Sequence, residues 1–366
     1  MKLKEITNYL DEIVPLSLQE SYDNSGLLIG DKNMEIKSAL TCLDCTEDVL
    51  DEAISNNCNL ILSHHPIIFN PIKKLTNSNF SEKLIYKAVK NDIAIYAIHT
   101  NLDNIYGGVS FIIAKKLNLL NSKILKPKEN TLTQLITYCP KEALNSIQNA
   151  LFKIGAGKVS SKYDQCSFSY EGLGGFRPLN NANPLLGEIN KRTETDEKKL
   201  ELIFPTYLES QIKKTLFEIH PYEEVAYQFI RLVNKNSNIG SGLIGELEKE
   251  LDVLTFFNLL KKVIPLHTIK HTNFSKKNKV KRIAFCGGSG SFLINEAKSQ
   301  KADIYISSDF KYHDFFEANN EIIIADIGHY ETEQFVPNLI SDILKKKFPK
   351  LAVILTQINT NPISYY

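Results

Sequence analysis

A short apolar run, Asn59-Leu60-Ile61-Leu62, ends in Ser63-His64-His65-Pro66. A run of this length bounded by a turn signal is the mark of a strand buried on both faces. Pro66 keeps the residues before it from continuing as helix. Two adjacent imidazoles therefore stand in a loop at the strand's carboxyl end, where ligands gather in α/β sheets. The same unit recurs along the chain. Strands are expected at 38–43, 93–98, 282–286, 302–306, 321–327 and 351–355. Helices are expected at 4–14, 47–55, 81–90, 109–116, 292–298 and from 328–333 to about 347. This alternation predicts an α/β lobe of mostly parallel sheets flanked by helices.

In the middle of the chain the rhythm changes. A strand at 131–138, a helix at 141–154 and a strand at 167–170 precede a Gly- and Pro-rich loop at 172–187. A strand at 200–204, a helix at 209–218 and a strand at 224–232 follow. That is β-α-β twice over, the order of a ferredoxin-like α+β unit. Residues 127–236 are read as an inserted domain, and the lobe around it is discontinuous, 1–126 with 237–366. Its turn His220-Pro221-Tyr222-Glu223-Glu224 carries no catalytic pattern.

A chain of 366 residues is long enough for two or three domains. Its formal net charge of +1 lacks the basic excess of a nucleic-acid binder. Lys276-Lys277 and Lys345-Lys346-Lys347 are short clusters, explained by a solvated face or a helix end. The opening residues lack the apolar core of a signal peptide. No run approaches the roughly 18 apolar residues of a membrane span, so a soluble, cytoplasmic chain is expected. Of the six cysteines, only Cys42 and Cys45 form a C-x-x-C, and no second pair accompanies them. They fall in or beside a strand, where residues three apart face opposite sides. Two buried thiols are expected, rather than a zinc half-site or a redox pair.

Three strand ends offer metal-type ligands. The first carries His64 and His65, the second His99 and Asp103, and the third His329 and Glu333. The last pair is spaced i,i+4, on one face of a helix start. Each group has an ordinary alternative: His99 as a core histidine, Glu333 as a charge favoured by the helix dipole. Their recurrence at the carboxyl ends of strands points to metal instead. Mixed imidazole and carboxylate ligands suit zinc, manganese, iron or cobalt. The candidates outnumber what one tetrahedral ion needs, so two divalent ions per chain are expected. Gly287-Gly288-Ser289-Gly290-Ser291 is either a tight βα turn or a backbone cradle for an anion. Gly288, Ser289 and Asp309 are candidate substrate contacts, with a helix cap as the alternative for Asp309. His99, His313 and Asp309 are candidate proton carriers.

Taken together, six pieces resemble the Nif-three-like family, also called the GTP cyclohydrolase I type 2 family. They are Asp23-Asn24-Ser25-Gly26-Leu27, Ser63-His64-His65-Pro66, His99-Thr100-Asn101-Leu102-Asp103, Gly287-Gly288-Ser289-Gly290, Lys311-Tyr312-His313-Asp314 and Gly328-His329-Tyr330-Glu331-Thr332-Glu333. The insert is similar to that of the long bacterial form through Ala182-Asn183-Pro184 and His220-Pro221-Tyr222-Glu223-Glu224, and so resembles PII-type proteins. The resemblance implies a dinuclear site whose ligands fall on His64, His65, Asp103, His329 and Glu333, with Glu333 as the bridge. It also implies a toroidal homohexamer. Tyr22 and Ser308 depart from the family pattern, where Trp and Gly are common. Two functions follow as expectations. One is a metal-dependent hydrolase acting on a nucleotide or related small molecule. The other is a metal-binding hexameric regulatory or scaffold protein without turnover.

Overall fold

The first helix, α1 (Leu3–Ile13), buries Leu3, Ile6 and Leu10 along one face, as their spacing requires. In this computed structural model the described residues are 1–158, 162–275 and 278–366. Lys276 and Lys277 lie outside them. After α1 come β1 (Gly26–Ile29), β2 (Ser38–Cys42), α2 (Glu47–Ser55), β3 (Leu60–Ser63), α3 (Phe80–Lys90), β4 (Ala94–Ala97), α4 (Thr100–Asp103), α5 (Val109–Lys116) and β5 (Leu120–Pro127). Thr46 caps α2 by accepting from the Val49 N–H, and Asn79 caps α3 from the Glu82 N–H.

Residues Lys128–Asn236 form a compact unit of their own. It comprises β6 (Leu132–Cys139), α6 (Leu144–Lys153), β7 (Ser167–Phe176), β8 (Thr193–Pro205), α7 (Glu209–Ile219) and β9 (Tyr227–Leu232). The sheet order is β7-β8-β6-β9 and every pairing is antiparallel. That is the ferredoxin-like arrangement. Leu135, Leu200, Leu202 and Phe204 share its core with Ile147 and Leu151 of α6 and Ile212 and Leu216 of α7. The strands β7 and β8 are longer than expected. Gly172, Gly174 and Gly175 lie inside β7, paired with Glu197, Thr195 and Glu194, not in a loop. Ladder pairing overrode the local glycine signal.

The chain then returns through β10 (Gly240–Asp252), α8 (Val253–Val263), β11 (Lys270–His271), β12 (Lys279–Ser289), α9 (Ile294–Ser299), β13 (Ile304–Ser308), β14 (Ile323–Asp326), α10 (His329–Glu333), α11 (Val336–Lys347) and β15 (Ala352–Leu355). These segments and residues 1–127 make the other compact unit. It holds two sheets, β1-β4-β3-β2-β15 and β11-β14-β13-β12-β10-β5.

The expectation of mostly parallel sheets holds for the first sheet and needs correction in the second. In the first sheet only β1–β4 is antiparallel. In the second, β12–β13 and β13–β14 are parallel, while β11–β14, β10–β12 and β10–β5 are antiparallel. The insert explains part of this. The chain leaves the unit along β5 and returns along β10, with Gly240 opposite Pro127. Two strands joined in this hairpin-like way pair antiparallel without a crossover. Close approach is possible because residue 240 is glycine: a Cβ there would lie 2.2 Å from the Lys126 carbonyl oxygen.

β5, β10 and α8 have no counterpart among the expected elements. The signal for α8 was present. Asp252 caps it by accepting from the Thr255 N–H at 2.9 Å, and Val253, Phe256, Phe257 and Leu260 are buried at helical spacing. Cys42 and Cys45 are buried free thiols; burial pushes Cys42 up and Cys45 to about 12. Among the described residues, no helix is long and apolar enough to cross a membrane.

In the insert, His220 follows α7 with both ring nitrogens occupied. Nε2–H donates to the Tyr138 carbonyl (2.9 Å), and Nδ1 accepts from the Tyr222 N–H (3.1 Å). Burial holds its pKa below the ordinary value of about 6.5. The neutral ring's contribution is therefore complete above the unfolded value and lost as pH falls through the folded one. Melting curves taken between pH 7 and 5 should show a destabilisation that is smaller in His220→Gln. An unchanged slope in that variant would contradict the neutral assignment.

Candidate metal centre

Neighbouring parallel strands bring their carboxyl ends side by side. β3 releases His64 and His65. β4 leads through Ile98 to His99, and α4 carries Asp103. From the second sheet, β14 leads to Gly328, whose φ of +97° turns the chain into α10. That short helix presents His329 and Glu333 on one face.

Four imidazoles are oriented in one way. His64 Nδ1 lies 2.7 Å from the Ile98 carbonyl oxygen. His65 Nδ1 is 2.7 Å from Asp44 Oδ1, His99 Nδ1 is 2.7 Å from Asp23 Oδ1, and His329 Nδ1 is 2.7 Å from Asp309 Oδ2. An acceptor at Nδ1 keeps the proton there and leaves Nε2 for a metal. His64 Nε2 stands 3.7 Å from both Asp103 Oδ1 and Glu333 Oε1. His65 Nε2 and His329 Nε2 stand 3.0 and 3.1 Å from Glu333 Oε2. Three groups of donors result: His64, Asp103 and Glu333; His65, His329 and Glu333; His64, His65 and His99. Within each, the donor atoms lie inside 4.8 Å of one another. Glu333 belongs to two groups, with one carboxylate oxygen for each.

The electrostatics fit a cation. Glu333 is 3% exposed. Burial alone would raise its carboxyl, yet His329, His64 and His65 hold it well below the carboxylate range. Burial, with the charge of Glu333 beside it, pushes Asp103 up. Burial opposes the imidazolium form of His65 and His329, but Asp44 and Glu333 raise the first to about 10, and Asp309 and Glu333 raise the second to about 11. Without metal, the negative charge around them thus favours the charged form of both rings. His64 differs, since burial lowers its pKa. His64 Nε2 and Asp103 Oδ1 are buried without a hydrogen-bond partner. Orphaned donors of this kind are costly unless something binds them. The donor set therefore fits divalent metal.

The five residues implied by the family resemblance come together here, and His99 joins them. Its ring centroid is 5.3 Å from those of His64 and His65. On its other side, Phe69 lies 6.2 Å away and stacks on the exposed Tyr22. His313 belongs to none of the three groups; it is exposed on a 3-10 helix, Tyr312–Ala318, against Phe316. Asp309 neither caps a helix nor stands free, because it holds His329. Ser289 is exposed at the end of β12, opposite Ser308. The Gly288 N–H donates to Thr332 Oγ1 (2.9 Å), and its carbonyl accepts from Ser307 and Ser308. That N–H is committed to α10, so it does not face an anion. Asp44 was not anticipated. It sits between Cys42 and Cys45, where the C-x-x-C spacing drew attention to thiols, yet a carboxylate just past a strand end was signal enough.

A family model described as Duf34/NIF3 (NGG1p interacting factor 3) matches residues 1–362. The chain belongs to the DUF34/NIF3 family. It is 34% identical over 370 residues to a Staphylococcus aureus protein called GTP cyclohydrolase 1 type 2 homolog, with all of both chains covered. A Listeria monocytogenes protein of the same name is 32% identical over 370 residues, covering 99% of this chain and 98% of that one. Among solved structures, a Bacillus cereus protein related to NIF3 superposes with a TM-score of 0.86 at 33% identity, covering 100% of this chain and 99% of that one.

Gly288 of this NIF3 protein lies directly against the Glu333 carboxylate. Its φ is +60°, and a Cβ would lie 2.5 Å from Glu333 Oε1. The carboxylate, as the end of a flexible side chain, would move before the backbone did. Gly288→Ala should weaken metal binding by roughly 10-fold or more, with the protein still folded. Chelator competition and circular dichroism on the same sample check both halves.

Proposed function

We propose that the protein is a metal-dependent hydrolase of a nucleotide or related compound. In this reading His64, Asp103 and Glu333 would hold one divalent ion, and His65, His329 and Glu333 would hold a second. The observation that carries it is the division of the Glu333 carboxylate between two donor groups. Imidazole with carboxylate favours zinc, manganese, iron or cobalt over magnesium or calcium. When bound, such ions supply Lewis acidity, lowering the pKa of water and polarising the attacked bond.

The remaining work falls to the chain. Asp44 and Asp309 keep Nδ1 of His65 and His329 protonated, so that Nε2 stays available. His99 is the group that moves a proton, through Nε2, with Asp23 on Nδ1 fixing the ring. His99 takes this role in preference to His313 because it packs against His64 and His65. The nucleotide is suggested by the name of the relatives, GTP cyclohydrolase 1 type 2 homolog. Assembly as a toroidal homohexamer is part of the same proposal, and light scattering should find a particle of six chains.

The test is elemental analysis followed by a nucleotide and phosphoester panel on one purified batch. About two ions per chain are expected. Turnover should fall roughly 100-fold or more in His65→Ala and Glu333→Ala. Activity that survives both substitutions removes the mechanism. A fully active preparation with one ion per chain removes the two-ion centre.

A further inference from the structure

β15 is an edge strand of the first sheet and runs parallel to β2. Parallel pairing brings its carboxyl end to the same edge as those of β2, β3 and β4, beside Asp44, His64, His65 and His99. Residues 356–365 continue from that point without helix or strand. They are anchored at once. The Thr356 N–H donates to the Thr41 carbonyl (3.0 Å), its hydroxyl donates to the Glu52 carboxylate, and the Gln357 N–H donates to Glu52 Oε1 (2.8 Å).

The segment then meets two carboxylates that flank the metal centre. Thr360 Oγ1 donates to Asp44 Oδ2 (3.0 Å), the oxygen that does not face His65. Asn361 Nδ2 and the Tyr365 hydroxyl both donate to Glu331 Oε1, at 3.2 and 3.3 Å. Glu331 is 3% exposed and lies on α10 between His329 and Glu333. Its other oxygen packs on Gly328, where a Cβ would come within 2.1 Å. Asp44 is therefore held from two sides, by His65 and by this segment, and Glu331 is held by the segment through one oxygen while the other lies against the glycine that opens α10.

We infer that residues 356–365 are a positioning strap for the metal centre: Thr360 sets Asp44 against His65, and Asn361 with Tyr365 sets the helix that carries His329 and Glu333. The inference rests on the reading of this cluster as a metal site. A carboxylate bonded through one oxygen can rock about its Cβ–Cγ bond, and the imidazole it holds rocks with it. A donor on the second oxygen removes that freedom. None of these strap residues belongs to the three donor groups. Their contribution is to ligand placement, and it is read in affinity.

The test uses the full chain, zinc alone as the probe, and competition against a chromophoric chelator, so no turnover is needed. Thr360→Val, which removes the hydroxyl and keeps the shape, should weaken zinc binding by roughly 3- to 30-fold. Thr360→Ser should stay within about twofold, because the donor returns. The double variant Asn361→Leu with Tyr365→Phe should also weaken binding. The metal-free melting temperature of Thr360→Val should match that of Thr360→Ser, which separates positioning from loss of fold. Zinc binding within twofold of the parent in both Thr360→Val and the double variant overturns the strap, provided that His65→Ala binds weakly. An equal loss in Thr360→Ser overturns it too. If His65→Ala and Glu333→Ala bind zinc as the parent does, the metal reading itself fails, and the strap with it.

Discussion

A carboxylate taken out of water must be matched by positive charge and hydrogen bonds, or it costs several kcal/mol. Glu333 is such a group, and much of the larger unit is arranged around it. Its two oxygens face three imidazoles that arrive from two elements, His64 and His65 from the end of β3 and His329 from its own helix. Gly328 gives the turn into that helix, and Gly288 leaves room for the carboxylate. Thr332, one residue away, ties the helix to β12 through the Gly288 N–H. Divalent metal held there would satisfy the charge and would also use the orphaned His64 Nε2 and Asp103 Oδ1.

The histidines are prepared for this by what stands behind them. Three lean on a carboxylate and one on a backbone carbonyl, always through Nδ1. A fixed tautomer and a fixed ring direction cost side-chain entropy during folding, not during binding. The carboxylates are fixed in turn: Asp23 by Ser25 and Thr100, Asp44 by Thr360. Such shells work best on rigid supports, and here the supports are the ends of buried strands.

Much of this was legible before folding was considered. The runs that became β2, β3, β4 and β13 are short, apolar and bounded by turns, so their existence follows from periodicity. The His and carboxylate residues just past β3, β4 and β14 could be read as ligands because their positions relative to the strands were readable. The misreadings have physical causes. Gly172, Gly174 and Gly175 favour a loop locally, but pairing with β8 holds them in a strand. Asp309 was open between a substrate contact, a proton carrier and a cap, because a sequence shows neighbours along the chain and His329 is twenty residues away. The antiparallel half of the second sheet depends on β5 meeting β10 across the whole insert, a pairing that no local pattern encodes.

The family pieces, the alternation of strand and helix, and the six metal-type candidates at three strand ends were determined by the sequence alone. They rest on residue type and short-range spacing, which survive without coordinates. Only the tertiary structure decided how the donors divide: Glu333 between two groups, Asp44 behind His65, Asp309 behind His329, Thr360 behind Asp44. Thr360 and Asp44 are separated by more than three hundred residues. Their meeting depends on β15 pairing parallel to β2 at a sheet edge, and strand pairing is a long-range choice made by packing.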